Sequence, residues 1–343
     1  MSVEDEISMK KGKHSFNVWN AFLSIAMRKV LIDTDGEFDD VMALILALKS
    51  NDLSVEAITT LSGIRNIRDS TDDVLNTVEL LDRSDIPIAK GLEASMSQNL
   101  AETRRSILQI WKSGGRSSTK AIRKPEIKLV REDAVSLMIR TITENPGEIT
   151  LITLGALTNV ATALLLEPKI ARKIKEVYTM GGAVLVPGNT TPVAEFNIWG
   201  DPLAAKIFFN SGMHITMIGL ETYYLPVLSS REWETVKKAN PATRYCFDNF
   251  DPWFKYLIGL HPEWNGGLEI GDALTVGAAV DNTLMKSRRC YVDVETQGII
   301  TSGQTVAYGL SKRHPSPKEP NTDLTIDCDW RRFNKLFVER VTS

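Results

Sequence analysis

Short apolar runs alternate along the chain with stretches in which apolar residues return every three or four positions. The runs Lys29–Ile32, Leu53–Thr60, Ile86–Ala89, Ile149–Leu154, Glu176–Met180 and His214–Ile218 read as strands. Between them, Asp39–Lys49 places Val41, Leu44, Ile45 and Leu48 on one helical face. Thr71–Leu81, Arg131–Glu144, Asn159–Leu166, Asp201–Asn210 and Asp272–Val280 read as further helices. Strand–helix alternation predicts an α/β fold: an open, mostly parallel central sheet with helices on both faces. Ligands of such sheets bind beyond the carboxyl ends of the strands.

Composition narrows the class. A chain of 343 residues buries about 75% of its unfolded surface, so no covalent staple is needed. Lys plus Arg number 40 against 43 Asp plus Glu, a net charge of −3. That balance argues against a dedicated nucleic-acid binder. The three cysteines, 246, 290 and 328, form no CxxC pair and suggest a reducing, cytoplasmic setting. No apolar run approaches the roughly 20 residues of a membrane helix, so no membrane partner is expected. Residues 1–27 read as a partly mobile extension, with a short helix around Phe16, Trp19 and Phe22. Residues 28–343 read as one domain, with loops at 114–124 and 311–323.

The candidate chemistry starts at the first strand–helix junction, VLIDTDGEFDDVMALILAL. Asp33, Asp35, Asp39 and Asp40, with Glu37, crowd five carboxylates into eight residues. A solvated acidic turn with a helix cap is the plain reading. Mutual repulsion, however, calls for compensation, and a hard divalent cation with oxygen ligands supplies it. Asp35 and Asp40 flank a tight loop at Gly36, so both can reach one ion. The segment is neither a phosphate loop nor an EF-hand. Further along, TLGALTN at 153–159 and MGG at 180–182 also follow strands. In NTTPVAEFNIWGDP, Glu195 and Asn197 offer the acceptors and donors that suit sugar hydroxyls, and Asp201 suits a helix cap. Asp272 opens an apolar helix, as a cap or as a ligand.

Together, DTDGEFDD, LGALTN, MGG, GNTTPVAEFN, ITMIGLE and GDALTV resemble, in order, the blocks of the nucleoside hydrolase family. The resemblance runs from about residue 28 to the C-terminus. It implies a bound Ca²⁺ and hydrolysis of the N-glycosidic bond of a ribonucleoside. It further implies that Asp35, Asp40, Asp272 and the Leu154 carbonyl hold the ion. Asp35 would be the general base, while Asp39, Met180, Asn189, Glu195, Asn197 and Asp272 would grip the ribose. A homodimer or homotetramer is expected by the same resemblance.

The departures from the family pattern fall mainly on the base side. Gly36–Glu37 stands where the family has Pro–Gly. Ile64 aligns with an Asn, although Asn66 is near. Gly271 takes the place of a His. No His-Gly segment precedes the mid-chain lid, where Trp111 lies. Trp111, Trp253 and Trp264 are candidates for stacking on the base, and His261 for reaching it; ordinary packing or an exposed loop is the plain reading of each. With no His at 271, purines are favoured over pyrimidines. A non-catalytic nucleoside-binding or assembly protein on the same fold would be expected to lose ion ligands, which are all present. An aspartyl-type phosphohydrolase would need a Ser/Thr–Lys–acidic series, which is not seen.

Overall fold

The computed structural model describes residues 27–97, 105–106, 108–109 and 119–343. The extension before residue 27, its expected helix, and Trp111 lie outside the described residues. Eleven strands are present among them. They are β1 (Arg28–Thr34), β2 (Leu53–Thr60), β3 (Ile88–Lys90), β4 (Thr150–Thr153), β5 (Glu176–Met180) and β6 (Ile215–Ile218). They continue with β7 (Val227–Leu228), β8 (Leu268–Glu269), β9 (Met285–Val294), β10 (Thr305–Tyr308) and β11 (Thr322–Cys328). Nine form one sheet in the order β10-β9-β11-β6-β5-β4-β1-β2-β3. From β11 to β3 the pairs are parallel; β9 runs antiparallel to both β11 and β10.

Helices cover both faces, as β1 illustrates. Its Val30 and Ile32 join the apolar cluster on one face, and Leu31 joins the cluster on the other. Both faces are dry, so the strand reads as an unbroken apolar run. Chain order reverses at β1: β2 and β3 lie to one side, β4, β5 and β6 to the other. A crevice at such a switch point is the expected ligand site.

Two deeply buried helices bring the acidic residues there. Phe38–Lys49 is buried along most of its length, as is Gly271–Val280. These helices pack against each other, with Asp39 and Asp40 in the first turn of one and Asp272 in the first turn of the other. Helix N-termini carry partial positive charge, which favours carboxylates at this meeting point.

Several boundaries move for local reasons. The helix expected from Thr71 begins at Ile67, because the Asn66 side chain accepts from the Asp69 N–H at 3.0 Å. The helix expected from Arg131 begins at Ala134, after the cap made by Asp133. The pattern also passed over the helices Ser230–Lys237, Pro241–Asn249 and Asp251–Leu260, the strands β9 to β11, and the terminal helix Trp330–Thr342. Exposed Lys286, Arg288 and Arg289 dilute the apolar signal of β9. β11 starts at Thr322, inside the stretch expected to be loop. All three cysteine thiols are free and buried. No helix among the described residues is long and apolar enough to cross a membrane.

Candidate active site

A cleft of about 690 Å³ opens beyond the carboxyl ends of β1, β4 and β5. Its lining includes Asp35, Asp39, Asp40, Leu154, Met180, Asn189, Glu195, Asn197 and Asp272, every residue expected to hold ion or ribose. Phe38, Ile64, Phe196, Tyr223, Tyr224, Trp253 and Leu257 supply its apolar and aromatic wall.

Oxygens of Asp39, Asp40 and Asp272 lie within 4.8 Å of one another. The ion set expected from sequence pairs Asp35, rather than Asp39, with the other two. Asp35 stands beside the trio, its N–H 3.3 Å from Asp40 Oδ1, an oxygen that also accepts from Thr34 Oγ1 at 2.5 Å. Burial, then Asp40 and Glu37, push the Asp35 carboxyl well above the ordinary range. Burial, then Asp39, Asp40 and Asp35, do the same to Asp272. Crowded, buried, all-oxygen donors fit a hard divalent cation, which would offset this repulsion. Asp272 is the second residue of its helix and makes no cap, which removes the plain reading of that residue.

Asp33 has a different task. It is fully buried and outside the cleft lining; its Oδ1 accepts from Thr59 Oγ1 at 2.6 Å and Asn159 Nδ2 at 2.8 Å. Burial raises its pKa to about 7. It ties β1 to β2 and to the helix Thr158–Leu166.

Glu37, whose charge stood out in the sequence, is compensated from 28 residues away. Arg65 donates its backbone N–H to Glu37 Oε1 at 3.2 Å and sets Nε 3.4 Å from Oε2. The same guanidinium reaches Asp73 at 2.6 Å and the Gly36 carbonyl at 2.5 Å. Asp73 also accepts from Asn249 Nδ2 at 2.8 Å and from the Tyr245 hydroxyl. Gly36 itself has φ +66°, and a Cβ there would stand 2.7 Å from the Ser70 carbonyl oxygen. Sequence reasoning missed Arg65; a basic residue two positions after Gly63, with Arg68 close behind, gave no signal that set it apart.

The residues expected to grip the ribose hold one another. Glu195 accepts N–H groups from Gly182 at 2.9 Å, Asn197 at 2.8 Å and Ile198 at 3.1 Å, and so caps Phe196–Gly200. Asn189 Oδ1 accepts from the Phe196 N–H at 3.0 Å. Asn197 Nδ2 donates to the Leu154 carbonyl at 2.6 Å and lies 3.1 Å from Met180 Sδ. Asp201 caps its helix, accepting from Ala204 N–H at 3.2 Å.

Of the residues expected to meet the base, Trp253 lines the cleft and stacks on Tyr256, with ring centres 5.4 Å apart. His261 and Trp264 lie outside the lining and stack on each other at 3.8 Å, with His261 Nδ1 2.8 Å from Glu263 Oε1. Tyr223, which the sequence reading passed over, donates its hydroxyl to Asp39.

A sequence model described as inosine-uridine preferring nucleoside hydrolase matches residues 30–335. The chain is 33% identical over 319 residues to the pyrimidine-specific ribonucleoside hydrolase RihA of Enterobacter sp. (strain 638), covering 91% of this chain and 97% of that protein. The solved plant nucleoside hydrolase PpNRh1 superposes with a TM-score of 0.79 at 30% identity, over 92% of this chain and 99% of that one. The purine-preferring ribonucleoside hydrolase from Gardnerella vaginalis gives a TM-score of 0.79 at 27% identity, over 92% and 98%.

Proposed function

The chain belongs to the inosine-uridine preferring nucleoside hydrolase family, and from that premise we propose a calcium-dependent N-ribohydrolase that favours purine ribonucleosides. Hydrolysis of the N-glycosidic bond of a ribonucleoside is the chemistry of the family. The observation that supports calcium dependence is the convergence of Asp39, Asp40 and Asp272 beside Asp35, inside one cleft with the amides of Asn189 and Asn197.

Asp40 and Asp272, with Asp35 and the Leu154 carbonyl at the same end of the cleft, would hold the ion. Bound Ca²⁺ would supply Lewis acidity and a common anchor for water and sugar hydroxyls. Asp39 and Asn197 orient the ribose, with Asn189 and Glu195 at its far end, which turns attack into a positioned event. Asp35 takes one proton from the water whose oxygen bonds to the anomeric carbon, on the face opposite the base. The glycosidic electron pair leaves with the base nitrogen, which takes up a proton from solvent as Asp35 returns its own there. Free base and ribose result, with inversion. Positive charge developing at the anomeric carbon is stabilised by carboxylates already in place.

Relatives include both a pyrimidine-specific and a purine-preferring enzyme, so base choice rests on this cleft. Trp253 and Tyr224 give it flat aromatic surface for the larger ring system. The test is release of free ribose from inosine, adenosine, guanosine, uridine and cytidine, with calcium and after chelation. Faster cleavage of uridine than of inosine overturns the purine reading. Binding without ribose release overturns catalysis in favour of a nucleoside-binding protein. The expected homodimer or homotetramer is tested by sedimentation, where a 38 kDa species alone would reject it.

A further inference from the structure

Tyr223 lines the cleft beside Asp39. Its hydroxyl donates to Asp39 Oδ2. Its ring lies against the bare Cα of Gly271: a Cβ there would stand 2.1 Å from Tyr223 Cδ2 and 2.2 Å from Cε2. Any side chain at 271 would therefore push the ring away, so the glycine and the tyrosine act as a pair.

The turn that carries Tyr223 is fixed on three sides. Leu220 donates its N–H to the Gly182 carbonyl at 2.9 Å. Glu221 Oε1 accepts from Val184 and Leu185 N–H groups at 2.7 and 2.6 Å. Thr222 Oγ1 lies 2.9 Å from Thr325 Oγ1 on β11. A phenol on so constrained a turn has little freedom, and a carboxylate can only accept from it. The Asp39 carboxylate is thereby given a fixed donor, beside Asp40 and Asp272.

We propose that Tyr223 is a positioning residue for Asp39: it sets the carboxylate that grips the sugar hydroxyls, and Gly271 makes room for it. This rests on the ribonucleoside reading above. Without the hydroxyl, Asp39 loses this restraint, and the cleft's preference for a sugar bearing both secondary hydroxyls falls.

The test uses the full chain loaded with calcium and a nucleoside of the best-bound base, alongside its 2′-deoxy and 3′-deoxy counterparts. Binding is measured by calorimetry and sugar release separately. Tyr223→Phe keeps the ring and removes only the hydroxyl. The preference for the ribonucleoside over at least one deoxy counterpart should fall by roughly tenfold or more, the weight of one hydrogen bond to a charged group, while the constants for that counterpart move by about twofold at most. Gly271→Ala, which displaces the ring with the phenol intact, should reproduce the loss. An unchanged preference, or an equal loss for all three nucleosides, overturns the proposal and leaves Tyr223 a packing residue. If the wild-type protein binds but releases no sugar, the hydrolytic reading fails and the binding preference still decides the role of Tyr223. If it binds none of the three, both fail.

Discussion

Replacing Arg65 by methionine should cost the protein a large part of its stability, because the guanidinium is buried between two acids. Its side chain is 8% exposed, against 9% for Glu37 and 6% for Asp73. The substitution removes the 2.6 Å pair with Asp73, the 3.4 Å pair with Glu37 and the 2.5 Å bond to the Gly36 carbonyl. It also removes the guanidinium from above the Phe250 ring, at 4.9 Å. Asp73 keeps its donors Asn249 and Tyr245, and Glu37 keeps the residue-65 N–H, so the losses do not simply add. Removing one partner of a buried ion pair costs about 3–5 kcal/mol. With an unfolding entropy of about 2.1 cal/mol/K per residue, that corresponds to a fall of about 4–7 °C in Tm. Scanning calorimetry at fixed calcium measures it. The double variant Arg65→Met/Glu37→Gln, or Arg65→Met/Asp73→Asn, should recover part of the loss by removing the stranded charge. A single variant melting within about 1 °C of wild type would refute the reasoning. So would failure of both double variants to recover anything, since the cost would then lie in packing rather than charge.

Chelation at neutral pH should lower Tm, because Asp35, Asp40 and Asp272 are left to repel one another; calcium at a hundred times its Kd should restore about 2.7 kcal/mol. Asp272→Asn should abolish that calcium-dependent shift, and a chelator-insensitive melt in the wild type would contradict the cation site. Gly36→Ala should cost about 1–3 kcal/mol of stability, read from denaturant unfolding, since it meets both a positive φ and the Ser70 carbonyl; a neutral outcome would show that the loop relaxes easily. Trp253→Ala should raise KM for purine nucleosides more than for pyrimidine ones, and an equal effect on both would remove Trp253 from base recognition.

The parallel half of the sheet was legible because its strands are dry on both faces and its helices bury wide apolar stripes. The antiparallel edge was not: β9 opens with exposed charged residues, and its partners are fixed by long-range pairing. The residues that line the cleft were legible because they sit in short blocks at strand ends that resemble a known family's motifs. Their division of labour was less so. Spacing alone could not show Asp33 turned away toward Thr59 and Asn159, or Asp39 drawn into the trio with Asp40 and Asp272. Nor could it place His261 and Trp264 against each other outside the cleft lining.

Two departures in the cleft have the same physical form. Glu37 puts a fifth carboxylate into the acidic loop, and Arg65 pairs with it from the start of the next helix-bearing segment. Gly271 leaves a gap beside Asp272, and the Tyr223 ring fills it from 48 residues earlier. In each case one residue of the pair reads as a loss when viewed in sequence, since it adds charge or removes a side chain. Only the fold shows the gain, because the partner belongs to a different strand–helix unit. The consequence is testable as coupling: Glu37→Gln should be milder in the Arg65→Met background than in the wild type. Gly271→Ala should likewise be milder once Tyr223 is shortened to Ala than with the full ring present. Additive costs in either cycle would mean that the two members of that pair act independently.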